Sequence, residues 1–352
     1  MTAPEPNAGE LFGELSGRIK GLVEDELGRL LSERLEQSYA LGPDAVHLVE
    51  AVRSLALRGG KRVRAVLVAA AYEALDGEGG AARIAPALAA VELLQAYLLI
   101  HDDWMDEDDV RRGGPTVHVM LGEQFGSARA GETTAILAGD WACGLAQTAL
   151  ASTPVPPARL VGAMAELARI QTTVVMGQLL DMRAQALDRA AVERVHDLKT
   201  GSYTVRGPLA LGAILAGASD DARAQLDAFA RPLGIAFQLR DDLLGTFGDA
   251  RATGKPSGRD LTVGKRTALV AELEAPSDLA LRDRVLGVKD APAALVAHLI
   301  ERLVASGAKA RVEDRLTALL AEARALLAAI PVTSGGRRLL EGAVLALGVR
   351  ET

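Results

Sequence analysis

The chain has one cysteine, Cys143, in 352 residues, and only five histidines. An internal disulfide is therefore excluded, and no Cys/His cluster has the spacing of a zinc site. Cys143 itself reads as a small buried apolar residue. Aromatic residues are scarce too, at 3%. No segment reaches the ~20 uninterrupted apolar residues of a membrane helix. The stretch from Ala85 to Ile100 comes nearest, and Glu92 and Gln95 interrupt it. There is no long basic stripe, and the formal charge of −7 argues against a nucleic-acid partner. Residues 1–10 carry acids, two prolines and a glycine rather than a basic leader with an apolar run. They read as a loose tail, and a cytoplasmic protein is expected.

Ala, Leu and Val make up most of the 49% hydrophobic content. These are helix-compatible residues, and they recur at helical spacing almost everywhere, whereas strand alternation is nearly absent. The expectation is an all-α fold, one large helical domain over 11–352 with no internal repeat. Helices are expected at 11–41 (as a pair), 45–57, 61–75, 84 to the first acidic cluster, 130–151, 157–187, 190–198, 202–217 and 220–244. Pro232 should kink the last of these. Residues 248–267, with Gly254, Pro256, Gly258 and Gly264, read as a mobile loop.

Two aspartate clusters stand far apart. The first is Asp102-Asp103-Trp104-Met105-Asp106, with Arg111-Arg112-Gly113 downstream. Asp102 and Asp106 are four residues apart, on one helical face, where two like charges repel unless a cation bridges them. The plainer alternative is a solvated acidic turn. The strongly apolar helix leading in and the basic turn that follows weigh against it. The second cluster is Gln238-Leu239-Arg240-Asp241-Asp242, where Gln238, Asp241 and Gly245 share a face; Lys255 and Lys265 come after it. Carboxylates beside cations are what holds a polyphosphate through Mg²⁺. Gly59-Gly60-Lys61-Arg62-Val63-Arg64 adds a third feature, two glycines and then cations at a helix start, which suits an anion, although taken alone a plain helix boundary with surface Lys and Arg is the simpler account.

In order along the chain, these segments resemble the trans-isoprenyl diphosphate synthases, or polyprenyl synthetases. The resemblance runs from Gly59-Gly60-Lys61-Arg62-x-Arg64 through Asp102-Asp103-x-x-Asp106, Arg111-Arg112-Gly113 and Gly139-Asp140. It continues with Gly177-Gln178-x-x-Asp181, Lys199-Thr200, Phe237-Gln238-x-x-Asp241-Asp242 and Thr253-Gly254-Lys255 to Gly264-Lys265. Three departures stand out. Gly245 takes the place of a third aspartate, Gln95 takes the place of a histidine, and the first motif lacks a two-residue insertion found in many bacterial farnesyl synthases. Together with Leu244-Gly245 and Thr253-Gly254-Lys255-Pro256, the short first motif looks like archaeal and actinobacterial geranylgeranyl diphosphate synthases.

The resemblance implies helices around a central cavity and a homodimer. It also implies that isopentenyl diphosphate condenses with an allylic diphosphate (dimethylallyl, geranyl or farnesyl). Mg²⁺ would be held by Asp102, Asp106 and Asp241. Arg111, Lys199, Lys255 and Lys265 would contact the allylic diphosphate, and Thr200 and Gln238 would line the reacting carbon. Lys61, Arg64 and Arg112 would hold isopentenyl diphosphate, with Gln95 beside it. His101 reads as structural. Leu98 lies one turn before Asp102, and Tyr97 is roughly 7 Å of helix rise below it. In the resembling family the Tyr97 position acts as a floor for the growing tail. A twenty-carbon product is therefore expected, with fifteen carbons (a farnesyl diphosphate synthase) the runner-up. A terpene cyclase would not need the Gly59-to-Arg64 site and would carry more aromatics. A non-catalytic synthase subunit would lose one aspartate motif, and here both keep their paired aspartates.

Overall fold

The computed structural model describes residues 6–183, 188–248 and 258–348. They are almost entirely helical, as the apolar periodicity predicts. Among the described residues the only strands are a short antiparallel pair, Val110–Arg111 with Gly114–Pro115, and turns and short loops join the helices. No described helix is long and apolar enough to cross a membrane.

The chain divides into two compact units. The first comprises residues up to Ala168 with Pro208–Ser219 and Val332–Leu339, and the second comprises Arg169–Gly207, Asp220–Pro331 and the residues from Leu340.

In the first unit, α1 (Ala8–Tyr39) is one continuous helix and not the expected pair. Its start is fixed by a capping box between Asn7 and Glu10. A single buried stripe of Phe12, Leu15, Ile19, Val23, Leu27 and Leu31 then runs down it, and the chain stays helical through Gly13, Gly17, Gly21 and Gly28. Helix α2 (Pro43–Leu57) begins on its proline. Helix α3 begins at Val63, two residues later than expected (Val63–Ala74). Gly59, Gly60 and Arg62 all have positive φ, so the chain cannot turn helical before that point. After the short α4 (Gly80–Arg83) comes α5 (Ala85–Met105). It is buried on nearly every side, the signature of a central helix. It packs chiefly on α7 (Ala128–Ala151), which also carries α6 (Val117–Phe125), a helix without a sequence expectation. Helix α8 (Pro157–Arg183) leads into the second unit, and α10 (Gly207–Ala216) returns to the first.

In the second unit, the predicted break at Lys199-Thr200-Gly201 does not occur. Helix α9 (Arg189–Val195) passes into a π-helical stretch, His196–Arg206, and on into α10 without a gap. Gly201 does not stop the helix because it faces Gly234 of α11 (Asp220–Phe247): a Cβ on Gly234 would lie 2.9 Å from the Gly201 Cα. Pro232 sits buried inside α11. The segment expected to be a loop at 248–267 contains a short helix, Arg259–Thr262, and Gly258 and Gly264 there adopt positive φ. Gly254, Lys255 and Pro256 lie outside the described residues.

Glycines on α7 give a direct test of this packing. A Cβ at Gly131 would overlap the backbone of His118 and Gly122 in α6, whereas a Cβ at Gly144 meets nothing within 4 Å. Gly131→Ala is expected to destabilise by about 1–3 kcal/mol through overpacking. Gly144→Ala should stabilise by roughly 0.5–1 kcal/mol, since helical glycine loses more backbone entropy than alanine. Denaturant unfolding of the two variants reads both signs, and a neutral Gly131→Ala would refute the close α6–α7 contact.

Candidate active site

Asp102 and Asp103 are neighbours on α5, so their side chains point about 100° apart. Asp103 is wholly buried and Asp102 is half-buried. The Arg111 Nε donates to Asp103 Oδ1 at 2.6 Å, and its Nη2 pairs with Asp103 and, at 3.2 Å, with Asp108 Oδ2. The turn of the two-residue hairpin thus swings Arg111 back beneath the acidic cluster. Asp106 caps the C-terminus of α5 and is exposed. Carboxylates at a helix C-terminus meet the negative end of the macrodipole, so a bound cation is the natural complement to this end of α5.

A cleft on the same helix is lined by Leu55, Ala56, Arg62, Glu92, Gln95, Ala96, Leu99 and Arg112. Arg112 donates to Gly59 O at 2.8 Å, and its guanidinium lies over Gly60. Arg62 turns inward, where it pairs with Glu92 at 3.2 Å, both side chains buried, and donates to Ala56 O at 2.8 Å. Glu92, which in the sequence only interrupts an apolar run, is therefore the counter-ion that fixes the turn before α3. Lys61 is exposed and Arg64 half-buried on either side of it. Gln95 and Leu99 precede Asp102 and Asp103 at helical spacing, so one face of α5 runs from the cleft to the aspartates.

Tyr97 lies on the other side of α5. It is buried, and its ring meets His101 edge-on at 4.9 Å between centroids. His101 Nε2 is 3.1 Å from the Ile136 carbonyl. A side chain at Gly139 would overlap the His101 ring, which explains a glycine there. His101 thus braces Tyr97 against α7. Leu98 is half-buried.

In the second unit the aspartates again differ. Asp241 is exposed, and Asp242 is wholly buried. Asp242 accepts from Gln238 Nε2 at 2.8 Å and from the Ala268 backbone N–H at 3.3 Å. Lys265 Nζ lies 3.2 Å from Asp242, 3.5 Å from Asp241 and 3.2 Å from Asp260. Burial opposes the charge on Lys265, but Asp242, Asp241 and Asp260 outweigh it and hold the ammonium well above its usual range. Asp260 has no counterpart in the sequence reading. A side chain at Gly245 would overlap its carboxylate, so the glycine in the third-aspartate position makes room for an acid from another segment. Lys199 Nζ donates to Asp181 Oδ2 at 2.7 Å, and Thr200 is half-buried beside it. Among the described residues no three acidic, His or Cys groups gather as a ready-made metal cage.

In the first unit, carboxylates at the end of α5, with Arg111 paired to the buried Asp103 beneath them, share the helix with a cation-lined cleft, which suits an all-α enzyme that works on anionic substrates. Residues 45–303 match the polyprenyl synthetase family model, and the chain belongs to that family. It is a trans-prenyltransferase. The chain is 38% identical to an Arabidopsis thaliana heterodimeric geranylgeranyl pyrophosphate synthase large subunit over 77% of its own length and 76% of the relative's. It is 40% identical to the farnesyl diphosphate synthase of Escherichia coli over 62% of its length and 73% of the relative's. Its fold superposes on a geranylgeranyl pyrophosphate synthase of Corynebacterium glutamicum, solved with isoprenyl diphosphate and magnesium, with a TM-score of 0.88. That match has 31% identity and covers 95% of this chain and 99% of the other.

The unequal burial of Asp102 and Asp103 predicts unequal variants. Asp103→Ala removes the buried partner of Arg111 and should cost about 3 kcal/mol of stability, the lower end for breaking a buried pair. Asp102→Ala relieves like-charge repulsion and should leave stability within about 1 kcal/mol of the parent. Turnover should nevertheless fall by on the order of 10²–10³ or more in Asp102→Ala. Unfolding midpoints measured beside steady-state rates separate the two; equal destabilisation by both variants would refute the division.

Proposed function

We propose that this prenyltransferase joins isopentenyl diphosphate head-to-tail to an allylic diphosphate and that its product is geranylgeranyl diphosphate. The observation that carries the two-substrate reading is the Arg112–Gln95 cleft. It offers a second cationic site on α5, apart from the aspartates, which an enzyme acting on one diphosphate would not need.

In this reading Asp102, Asp106 and Asp241 hold Mg²⁺. An all-oxygen donor set with no His or Cys suits a hard cation that keeps several waters and takes only one or two carboxylates at a time. When bound, the metal supplies positive charge that stabilises the leaving diphosphate. Arg111, Lys199, Lys255 and Lys265 meet the allylic diphosphate, Arg111 through Nη1, since Nε and Nη2 are committed to Asp103 and Asp108. Thr200 and Gln238 line the reacting carbon. Lys61, Arg64 and Arg112 hold isopentenyl diphosphate, with Gln95 beside it. The allylic C–O bond breaks, and its electron pair leaves with the diphosphate. The double bond of isopentenyl diphosphate then forms the new C–C bond, and a proton passes to the released diphosphate. No side chain presents itself as a dedicated base.

Tyr97 sets the length. Residues 97 and 95 differ by about 200° around α5, so the floor and the Gln95 cleft lie on opposite sides of one helix. Removing the floor should leave isopentenyl diphosphate binding alone. Diphosphate release and product mass should be measured with each substrate alone and with both together. Release is expected only with both, with a twenty-carbon product. Tyr97→Ala should add one or more five-carbon units at unchanged KM for isopentenyl diphosphate. Release without isopentenyl diphosphate would indicate a cyclase instead. A fifteen-carbon product would replace the product assignment, and an unchanged product from Tyr97→Ala would place the floor elsewhere.

We further take the active species to be a homodimer. In the second unit, α8 leaves Val175, Met176, Leu179, Leu180 and Met182 exposed on neighbouring positions. Apolar groups exposed in one patch mark a contact surface. Sedimentation at micromolar concentration should give twice the chain mass, and Met176→Lys with Leu179→Lys should shift it toward the monomer. A parent chain that sediments as a monomer would rule the dimer out.

A further inference from the structure

The second aspartate cluster depends on a residue that no motif singles out. His196 begins the π-helical stretch and is 6% exposed. Its Nε2 lies 3.4 Å from Asp242 Oδ2, while its Nδ1 is buried without a hydrogen-bond partner. That asymmetry fixes the tautomer. With the proton on Nε2 the N–H faces the carboxylate and only a lone pair is left unmet. With the proton on Nδ1, a lone pair would face Asp242 and a buried N–H would be orphaned, which is costly. Burial also pushes the imidazole below its usual value against the pull of Asp242, so the ring is neutral near pH 7.

Asp242 is therefore a buried hub. Its oxygens accept hydrogen bonds from the Gln238 amide and the Ala268 N–H, and the Lys265 ammonium and the His196 Nε2 lie 3.2 and 3.4 Å from them. A wholly buried carboxylate surrounded by four such groups is a structural anchor. Its role is to hold other groups still. Gln238 and Lys265 are two of the groups that the proposed reaction needs, and Lys199 and Thr200 follow His196 by three and four residues in the same π-helical stretch. One imidazole thus joins the Lys199–Thr200 segment to α11 and to the segment carrying Lys265.

We propose that His196 is a positioning residue for this enzyme: through its Nε2–H it fixes Asp242, and through Asp242 it sets the Gln238 amide and the Lys265 ammonium toward the allylic diphosphate. The proposal rests on the substrate roles given above to Gln238 and Lys265. The competing account is that His196 only fills space between the π-helical stretch and α11.

The test compares side chains that keep or lose the donor. In His196→Gln the amide nitrogen can reach the place of Nε2. In His196→Asn it falls at the place of Nδ1, and His196→Phe fills the volume with no donor. Binding of inorganic diphosphate with Mg²⁺ by calorimetry is read beside kcat, the two KM values and the unfolding midpoint. Partners of this indirect kind typically contribute 10–100-fold. His196→Phe and His196→Asn should weaken diphosphate binding and lower kcat by about that range, with KM for isopentenyl diphosphate unchanged. His196→Gln should recover most of the loss even if its midpoint falls as far as that of the other two. Equal behaviour of the Gln and Asn variants in binding and kcat would overturn the proposal, and this comparison stands even if the Phe variant does not fold. A parent chain that binds diphosphate but makes no prenyl product would overturn the proposed function instead, leaving the binding comparison to decide on His196.

Discussion

Two adjacent carboxylates on a helix cannot share one environment, and the rest of this active site follows from how that conflict is resolved. In each cluster one aspartate goes inward and the other outward. Asp103 is buried against Arg111, and Asp242 is buried among Gln238, Lys265, His196 and a backbone N–H. Asp102 and Asp241 are left facing out. The inner member neutralises and orients a cation, and the outer member is the more exposed of the two, Asp102 half-buried and Asp241 exposed with Lys265 3.5 Å away. Desolvating a carboxylate without such partners would cost several kcal/mol, so neither inner aspartate can be separated from its cation. The paired motif is one buried structural acid and one more exposed acid, not two equivalent side chains.

The same economy appears along α5. A helix buried on nearly every side has no idle face, and each of its faces carries a separate task. Glu92, Gln95 and Leu99 line the cleft with Arg112, while Tyr97 and His101 pack toward α7 at Gly139. The end of the helix presents Asp102 and Asp106. Because the helix is rigid and 1.5 Å per residue, the separation between the outward acids and Tyr97 is set by covalent geometry, not by loop conformation. A length-measuring device would require this, and the floor proposed at Tyr97 relies on it.

The fold class and the acidic and basic motifs were legible in the sequence because they are local. Helical periodicity needs only a window of neighbours, and a resemblance of ordered motifs needs no geometry. What could not be read depends on contacts between distant segments. Arg62 looks like one more motif cation, and only its 3.2 Å pair with Glu92 shows that it is structural. Gly245 looks like a missing ligand until Asp260 is seen in the space its side chain would take. The supposed stop at Lys199-Thr200-Gly201 follows from counting glycine as a breaker, whereas the packing of Gly201 on Gly234 holds the chain helical. The split expected within α1 does not occur either: a single buried stripe runs through it and carries the helix past its four internal glycines, Gly13, Gly17, Gly21 and Gly28.

The π-helical stretch ties these points together. A wider helix is less favourable than an α-helix and is found mostly at functional sites. Here it is gripped at two glycines. The backbone at Lys199 sits so close to Gly177 of α8 that a Cβ there would overlap it, and Gly201 sits against Gly234 of α11. Around these contacts, Lys199 turns to Asp181 on α8 and His196, three residues earlier, turns to Asp242 on α11. Residues three apart on a regular α-helix lie on nearly the same face and would compete for one neighbour. An extra residue per turn changes the angular spacing, so that the two side chains serve two different helices while the backbone stays continuous. The unusual geometry is therefore the means by which a single short segment connects the lysine proposed to meet the allylic diphosphate with the buried hub that orients Gln238 and Lys265.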